Sequence, residues 1–423
     1  MHVVYSKKKD ELKGSSFSNI YEQYANEAAF LWILRSIAIK EPHNNQYDIL
    51  QFEQRIDAQL NGLMTSMKLG WQVCEDALEL QEPGEVFTAL IVAMRSHDFT
   101  KIKTAVDVGL TSDSATKGLV SALGWLPADI VNTWIERFLN GKDMRHKYLG
   151  VAACSIRRVD LGDSLVSILK RDDCMSDHKL YSRALRLVGE LRRQDCMPYI
   201  NSAMNNDNPD ICFWANWSSI LLGTQQSVKN LKSYVFNQNR LQEQAIQVAF
   251  RVLAIDTARE WISELSTNSK NIRVVIKATA VLGDPHAVNW LINKMANPLY
   301  AKLAGESFTF ITGVDLNKNE LSIKEPDDYP VIPNDDIDDD LVALDEDENL
   351  PFPDINKVTS IWQKYGQKFV VGKRYFMGQL ITPELLKDYL KNGMQRQRHA
   401  AAMELALNEK GLPLVNTHGK VLG

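Results

Sequence analysis

Four aspartates are placed where a calcium loop would want them. Asp336, Asp338 and Asp340 stand at loop positions one, three and five, and Asp347 stands at twelve. An EF-hand also needs glycine at position six for its sharp turn and prefers a glutamate at twelve. Leu341 occupies position six and prolines flank the run, so a solvated acidic linker, or one docked on a basic face, outweighs a cation site. Cys212, inside Phe213-Trp214-Ala215-Asn216-Trp217, has no neighbouring base or cation in sequence to lower its thiol pKa. None of the eight histidines is followed by glutamate, and the five cysteines contain no CxxC. G-x-S-x-G, phosphate-loop and dinucleotide fingerprints are also missing. These observations predict no catalytic residue, no metal and no cofactor.

The elements that would position any site read as helices. Met67, Trp71, Cys74 and Leu78 recur at helical steps, and Glu82-Pro83-Gly84 separates that stripe from Val86, Phe87, Leu90 and Met94. Further along, a unit recurs: an amphipathic helix, a Leu-Gly stop, and a second amphipathic helix. Its clearest copy runs from Ile272 through Leu282-Gly283-Asp284-Pro285-His286-Ala287 to Ile292; looser copies turn at Leu123-Gly124, Leu161-Gly162, Val188-Gly189 and Leu222-Gly223. The second-helix anchors Leu165, Tyr199, Leu231, Trp261 and Leu291 lie 30 to 34 residues apart. Glycine closes a helix in the left-handed region without a Cβ penalty, and Asp then Pro start the next one. Self-similarity at this period marks stacked helix pairs. The expected fold is all-α, a solenoid of antiparallel helix pairs.

Composition bounds the rest. The chain has 423 residues and a net charge of −5. The stretch from Glu325 to Asn349 holds 12 acidic residues and no Lys or Arg, which leaves +7 for everything else. That excess is too diffuse to argue for nucleic acid. An odd number of cysteines suits a reducing compartment, no apolar run reaches membrane-spanning length, and the expected location is cytoplasmic. The expected organisation is a leader (1–18), an N-terminal helical region (19–110), repeats (111–314), an acidic proline-rich linker (315–355) and a C-terminal helical cap (356–423).

The Leu282-Gly283-Asp284-Pro285-His286-Ala287 turn resembles the short HEAT-repeat class. The two ends carry a narrower likeness. Glu27-Ala28-Ala29-Phe30-Leu31-Trp32 with Arg35, Arg55-Ile56-Asp57-Ala58-Gln59-Leu60-Asn61, Gly70-Trp71, Gly372-Lys373-Arg374-Tyr375 and Gly393-Met394-Gln395-Arg396-Gln397-Arg398-His399 are similar to a family of proteobacterial HEAT-repeat proteins associated with type VI secretion gene clusters. In that family a histidine and an aspartate often stand where this chain has Gln59 and Asn61. The resemblance implies no reaction. It implies a non-enzymatic scaffold, chaperone- or adaptor-like, whose partner is a type VI secretion spike, adaptor or effector.

Trp and Arg are the side chains most enriched among interface anchors. Trp214, Trp217, Arg374, Arg396 and Arg398 are therefore the expected partner-binding residues, although aromatics at helical spacing more often pack a core. The rival from another class is a nucleic-acid-binding HEAT-like protein or glycosylase-like enzyme, using the basic residues from Lys364 to Arg398. A solvated helical face that pairs with the acidic linker is the heavier reading of those charges.

Overall fold

The computed structural model describes residues 18–326 and 345–421. The fold is all-α: helices dominate, with two two-stranded ladders among the described residues. The chain divides into two compact units. Of the described residues, one comprises 18–40, 44–191 and 416–421; the other comprises 41–43, 192–326 and 345–415.

The first unit contains α1 (Ser18–Ala38), α2 (Gln46–Met64), α3 (Met67–Ala77), α4 (Pro83–Arg95), α5 (Phe99–Gly109), α6 (Asp113–Trp125), α7 (Ala128–Asn140), α8 (Met144–Arg157), α9 (Asp163–Lys170), α10 (Asp172–Ser176) and α11 (His178–Leu191). Alternate helices α4, α6, α8 and α11 pack in succession, while α5 and α7 pair with their sequence neighbours. That succession is what stacked helix pairs produce, each burying its apolar stripe on the next. Helix α4 sits deepest, with every residue from Val86 to Met94 buried. Caps explain the starts: Asn45, Asp98, Ser112 and Asp143 accept backbone N–H groups of the helices that follow them. The compact units divide between Leu191 and Arg192, not at the boundary expected at 110/111.

The second unit contains α12 (Met197–Ala203), α13 (Pro209–Leu221), α14 (Lys232–Phe236), α15 (Gln242–Val252), α16 (Ile255–Ser266), α17 (Ile272–Leu282), α18 (Val288–Lys294) and α19 (Pro298–Thr312). After these come β1 (Ser322–Ile323) and β2 (Phe352–Pro353), α20 (Ile355–Tyr365), β3 (Tyr375–Phe376) and β4 (Gln379–Leu380), then α21 (Pro383–Asn392) and α22 (Gln395–Asn408). Helices α15, α17 and α19 succeed one another, and α22 lies against α15 and α13.

Two expectations change. The repeat glycines do not share one role. Gly124 and Gly189 lie inside α6 and α11, and a Cβ on Gly124 would press on Ile156 Cγ2 at 2.9 Å. The left-handed residues after α8 and α11 are Arg158 (φ 55°) and Arg192 (φ 58°). Gly283 does close α17 at φ 71°, and its missing side chain also admits another strand. Tyr375 N donates to Gly283 O at 2.8 Å, and a Cβ there would lie 2.2 Å from Tyr375 O.

The span 315–355 is not a linker throughout. Leu316, Leu321, Leu350 and Phe352 are buried, and Leu316 and Leu321 pack with Phe308 and Val358. The antiparallel pairs Ser322–Pro353 and Ile323–Phe352 bring its ends together. Apolar residues at both ends of a charged run let the ends join a core that the run itself cannot build. Asp336, Asp338 and Asp340 lie outside the described residues. Asp347 is described, is almost fully buried, and pairs with Arg273 at 2.6 Å.

Candidate interaction sites

The residues singled out from sequence are committed to the second unit's own structure. Trp214 and Trp217 on α13 are 9% and 3% exposed, with ring centroids 5.4 Å apart, and Phe213 meets Trp214 edge-on. Their anchor role is corrected: an indole with no free face cannot enter a partner's pocket. Two of the three arginines, Arg374 and Arg398, finish helices instead. The last carbonyls of a helix lack intrahelical donors and carry partial negative charge. Arg374 donates to Leu282 O (3.0 Å) and Val281 O (3.3 Å) at the end of α17, and to Arg251 O (3.0 Å) at the end of α15. Arg398 donates to Leu390 O (2.9 Å) near the end of α21, and is buried. Arg396 holds Glu306 at 2.8 Å and the Glu346 carbonyl.

Arg374 also belongs to a buried charge cluster. It pairs with Glu404, which Arg251 approaches at 3.2 Å and Asn408 at 3.1 Å. Burial pulls the Arg251 pKa down to about 10 against the opposing pull of Glu404. Each polar end has a carbonyl or carboxylate nearby, so the cluster locks α22 to α15 and α17.

The first unit has the counterpart, around Glu190 on α11. Arg186 Nε donates to Glu190 Oε1 at 2.8 Å, and Arg158 Nη1 lies 3.2 Å from Oε2. Ser155 Oγ also donates to Oε2, and itself accepts from Arg183 Nη2 at 2.5 Å. Burial pushes the Glu190 carboxyl up, but Arg186, Arg183 and Arg158 together hold it at about 2. Three guanidiniums thus face one carboxylate, and Arg183 Nε is buried without a hydrogen-bond partner. Arg183, Arg186 and Glu190 follow a three-then-four spacing on one helix face, a signal present in the sequence that no motif names. Arg158 could not be placed from sequence, because its contact depends on the left-handed turn ending α8.

A second feature of the first unit is an aromatic ladder. Phe99 opens α5 and is 61% exposed. It stacks on Trp134 of α7 with centroids 5.7 Å apart and planes at 27°. Trp134 meets Phe138 (6.0 Å), which meets His146 of α8 (5.6 Å), and the exposed Arg137 covers the Trp134 ring at 4.8 Å. Trp134 and Phe138 stand four residues apart on one face of α7, the helical spacing of a core stripe. Phe138 is buried as that spacing requires, but Trp134 is only half-buried and its outward partner Phe99 is in solvent.

The α2 motif quoted for the family likeness is a row of partnered polar groups. Gln59 Nε2 donates to Glu27 at 2.7 Å, and Asn61 accepts from Arg95 at 3.1 Å. Asp57 accepts from Trp125 Nε1 at 2.8 Å. The thiols of Cys74 and Cys154 are pushed by burial up to about 12, which suits packing and not nucleophilic attack. Among the described residues no group of His, Cys, Asp and Glu is arranged to hold a metal, and no helix is long and apolar enough to cross a membrane. No family model, curated protein or solved structure matches this chain.

Proposed function

We propose that this chain is a non-enzymatic scaffold that binds another protein through the Phe99–Trp134–Arg137 surface. The exposed stack is the observation that carries the reading. Phe99, 61% exposed, and the half-buried Trp134 form a stacked aromatic pair at the surface, and aromatic and Arg side chains are the chemistry most enriched at interface centres. Arg137 above Trp134 adds a planar cation able to meet a carboxylate or another ring. The stacked helix pairs supply a rigid base, with Phe138 and Ile135 buried beneath the exposed rings.

The family likeness names the partner class: a type VI secretion spike, adaptor or effector, met in the cytoplasm before or during loading. Co-purification from cells that express the neighbouring secretion genes tests this. A secretion component should be retained by the wild-type chain at moderate salt and lost from Phe99→Ala/Trp134→Ala. Retention of no such component removes the assignment to secretion. Equal retention by the double variant removes the ladder from the interface.

A further inference from the structure

The first unit already holds a segment without helix or strand, its own residues 416–421. Arg35 and Glu53 form a buried pair at 2.7 Å, and each keeps bonding capacity that this segment meets. Arg35 donates to His418 O at 3.1 Å and to Gly419 O at 2.7 Å. Glu53 Oε2 accepts from Val421 N at 2.9 Å. Lys420, between them, reaches Asp57 at 2.7 Å and lies over the Trp125 ring at 4.5 Å. Val421 packs against the cluster of Ala38, Ile39 and Ile49 with Phe52. At the other end Asn416 Nδ2 donates to Ile156 O at 2.7 Å.

The recognition is of a kind that another chain able to take the same backbone turn can satisfy. Two carbonyls and one N–H are read by a buried ion pair, and side-chain selection is confined to one cation and one aliphatic group. A Cβ on Gly419 would lie 2.9 Å from Asn416 Nδ2, which favours glycine before the lysine. The segment has no helix or strand of its own and contributes few buried side chains, so its release is cheap beside unfolding of α1 or α2. Release is not free of consequence. It leaves Arg35 without two acceptors and Glu53 Oε2 without its backbone donor, a vacancy selective for another backbone.

We propose that the groove formed by Arg35, Glu53, Asp57 and Trp125 is a peptide-binding site, held in this structure by residues 416–421 and taken in competition by a non-helical segment of a partner chain that carries the same Gly-Lys-aliphatic order. This inference is independent of the aromatic ladder.

The test uses a labelled peptide of the sequence of residues 412–423 and the full chain. A tethered segment competes at an effective concentration on the order of millimolar, so the wild-type chain should bind the peptide weakly. The variant Lys420→Glu/Val421→Asp, which weakens the resident segment, should bind it at least about tenfold more tightly, by that same competition. Adding Asp57→Lys should abolish the gain. Equal binding by the wild type and the variant overturns the proposal. A dimer that grows with concentration in the variant assigns the groove to a second copy and overturns the partner reading. Hydrogen exchange on the wild-type chain gives a check that needs no variant. The Val421 amide should exchange well before those of α1 and α2 that face it, and exchange in step with them would mean the segment never leaves.

Discussion

Each compact unit buries a glutamate among arginines, and the two solutions differ in what the arginines do besides pair. Around Glu404, Arg374 divides its donors between the carboxylate and three helix-terminal carbonyls, while Arg251 and Glu404 are almost wholly out of water. Around Glu190, the side chains of Arg158 and Arg186 are 19% and 36% exposed. The first arrangement joins helices and has no donor to offer outside. The second is over-supplied with positive charge and reaches the surface. A buried ion cluster is therefore a poor indicator of function by itself; what separates the two is whether the surplus charge is absorbed by backbone.

The comparison is tested most strongly at Glu404. Glu404→Gln leaves Arg251, almost wholly out of water, with no anion, and should cost about 3–5 kcal/mol. Glu190→Gln should cost less, about 2 kcal/mol, because Arg158 and Arg186 can turn toward water. Denaturant midpoints of the two variants check the order, and a larger loss at Glu190 would reverse the assignment of which cluster is structural. The Glu190 variant should also gain stability from added sulfate or phosphate, which can enter where the carboxylate charge was.

Acid titration sharpens the same contrast. The Glu190 carboxyl ionises at about 2 in the folded chain against an ordinary value of 4.5. Its folded pKa is depressed, so its contribution to stability is present above about 4.5 and is lost as pH falls from there toward 2. Wild-type stability should therefore decline through that window more steeply than that of Glu190→Gln. Superimposable acid limbs would mean the three guanidiniums do not hold the proton off.

How much of this was legible beforehand follows from which interactions are local. Helices, most of their starts, and the Leu282-Gly283-Asp284-Pro285 turn depend on residues within a few positions of one another, and the sequence pattern predicts them. Asp284 illustrates the limit: it caps the next turn through His286 N, as read, but also accepts from Arg259 at 2.8 Å and from Gly372 N at 3.1 Å. The terminal arginines read as partner-binding residues, or as a face for the acidic segment, because nothing in the sequence tells which helix end or carboxylate each one reaches. Trp214 and Trp134 are equally good hydrophobic helix residues. Only the neighbouring helices decide that one is enclosed and the other meets Phe99 at the surface.

Two glycines, one in each unit, provide the smallest and cleanest comparison. Gly283 and Gly162 both take positive φ, at 71° and 53°. An alanine at either position pays for the left-handed backbone, about 1 kcal/mol. At Gly283 the new methyl would also lie 2.2 Å from Tyr375 O, so the 375–376 strand must move and the Tyr375 N to Gly283 O bond with it. Gly162 has nothing within 4 Å of the same position. Gly283→Ala should therefore cost roughly 2–3 kcal/mol, adding a steric clash to the backbone term, and Gly162→Ala only the backbone term. Thermal melts of the two variants measure the difference. Equal losses would mean that glycine at 283 serves only to end a helix, and that the β3 strand bends aside without resistance.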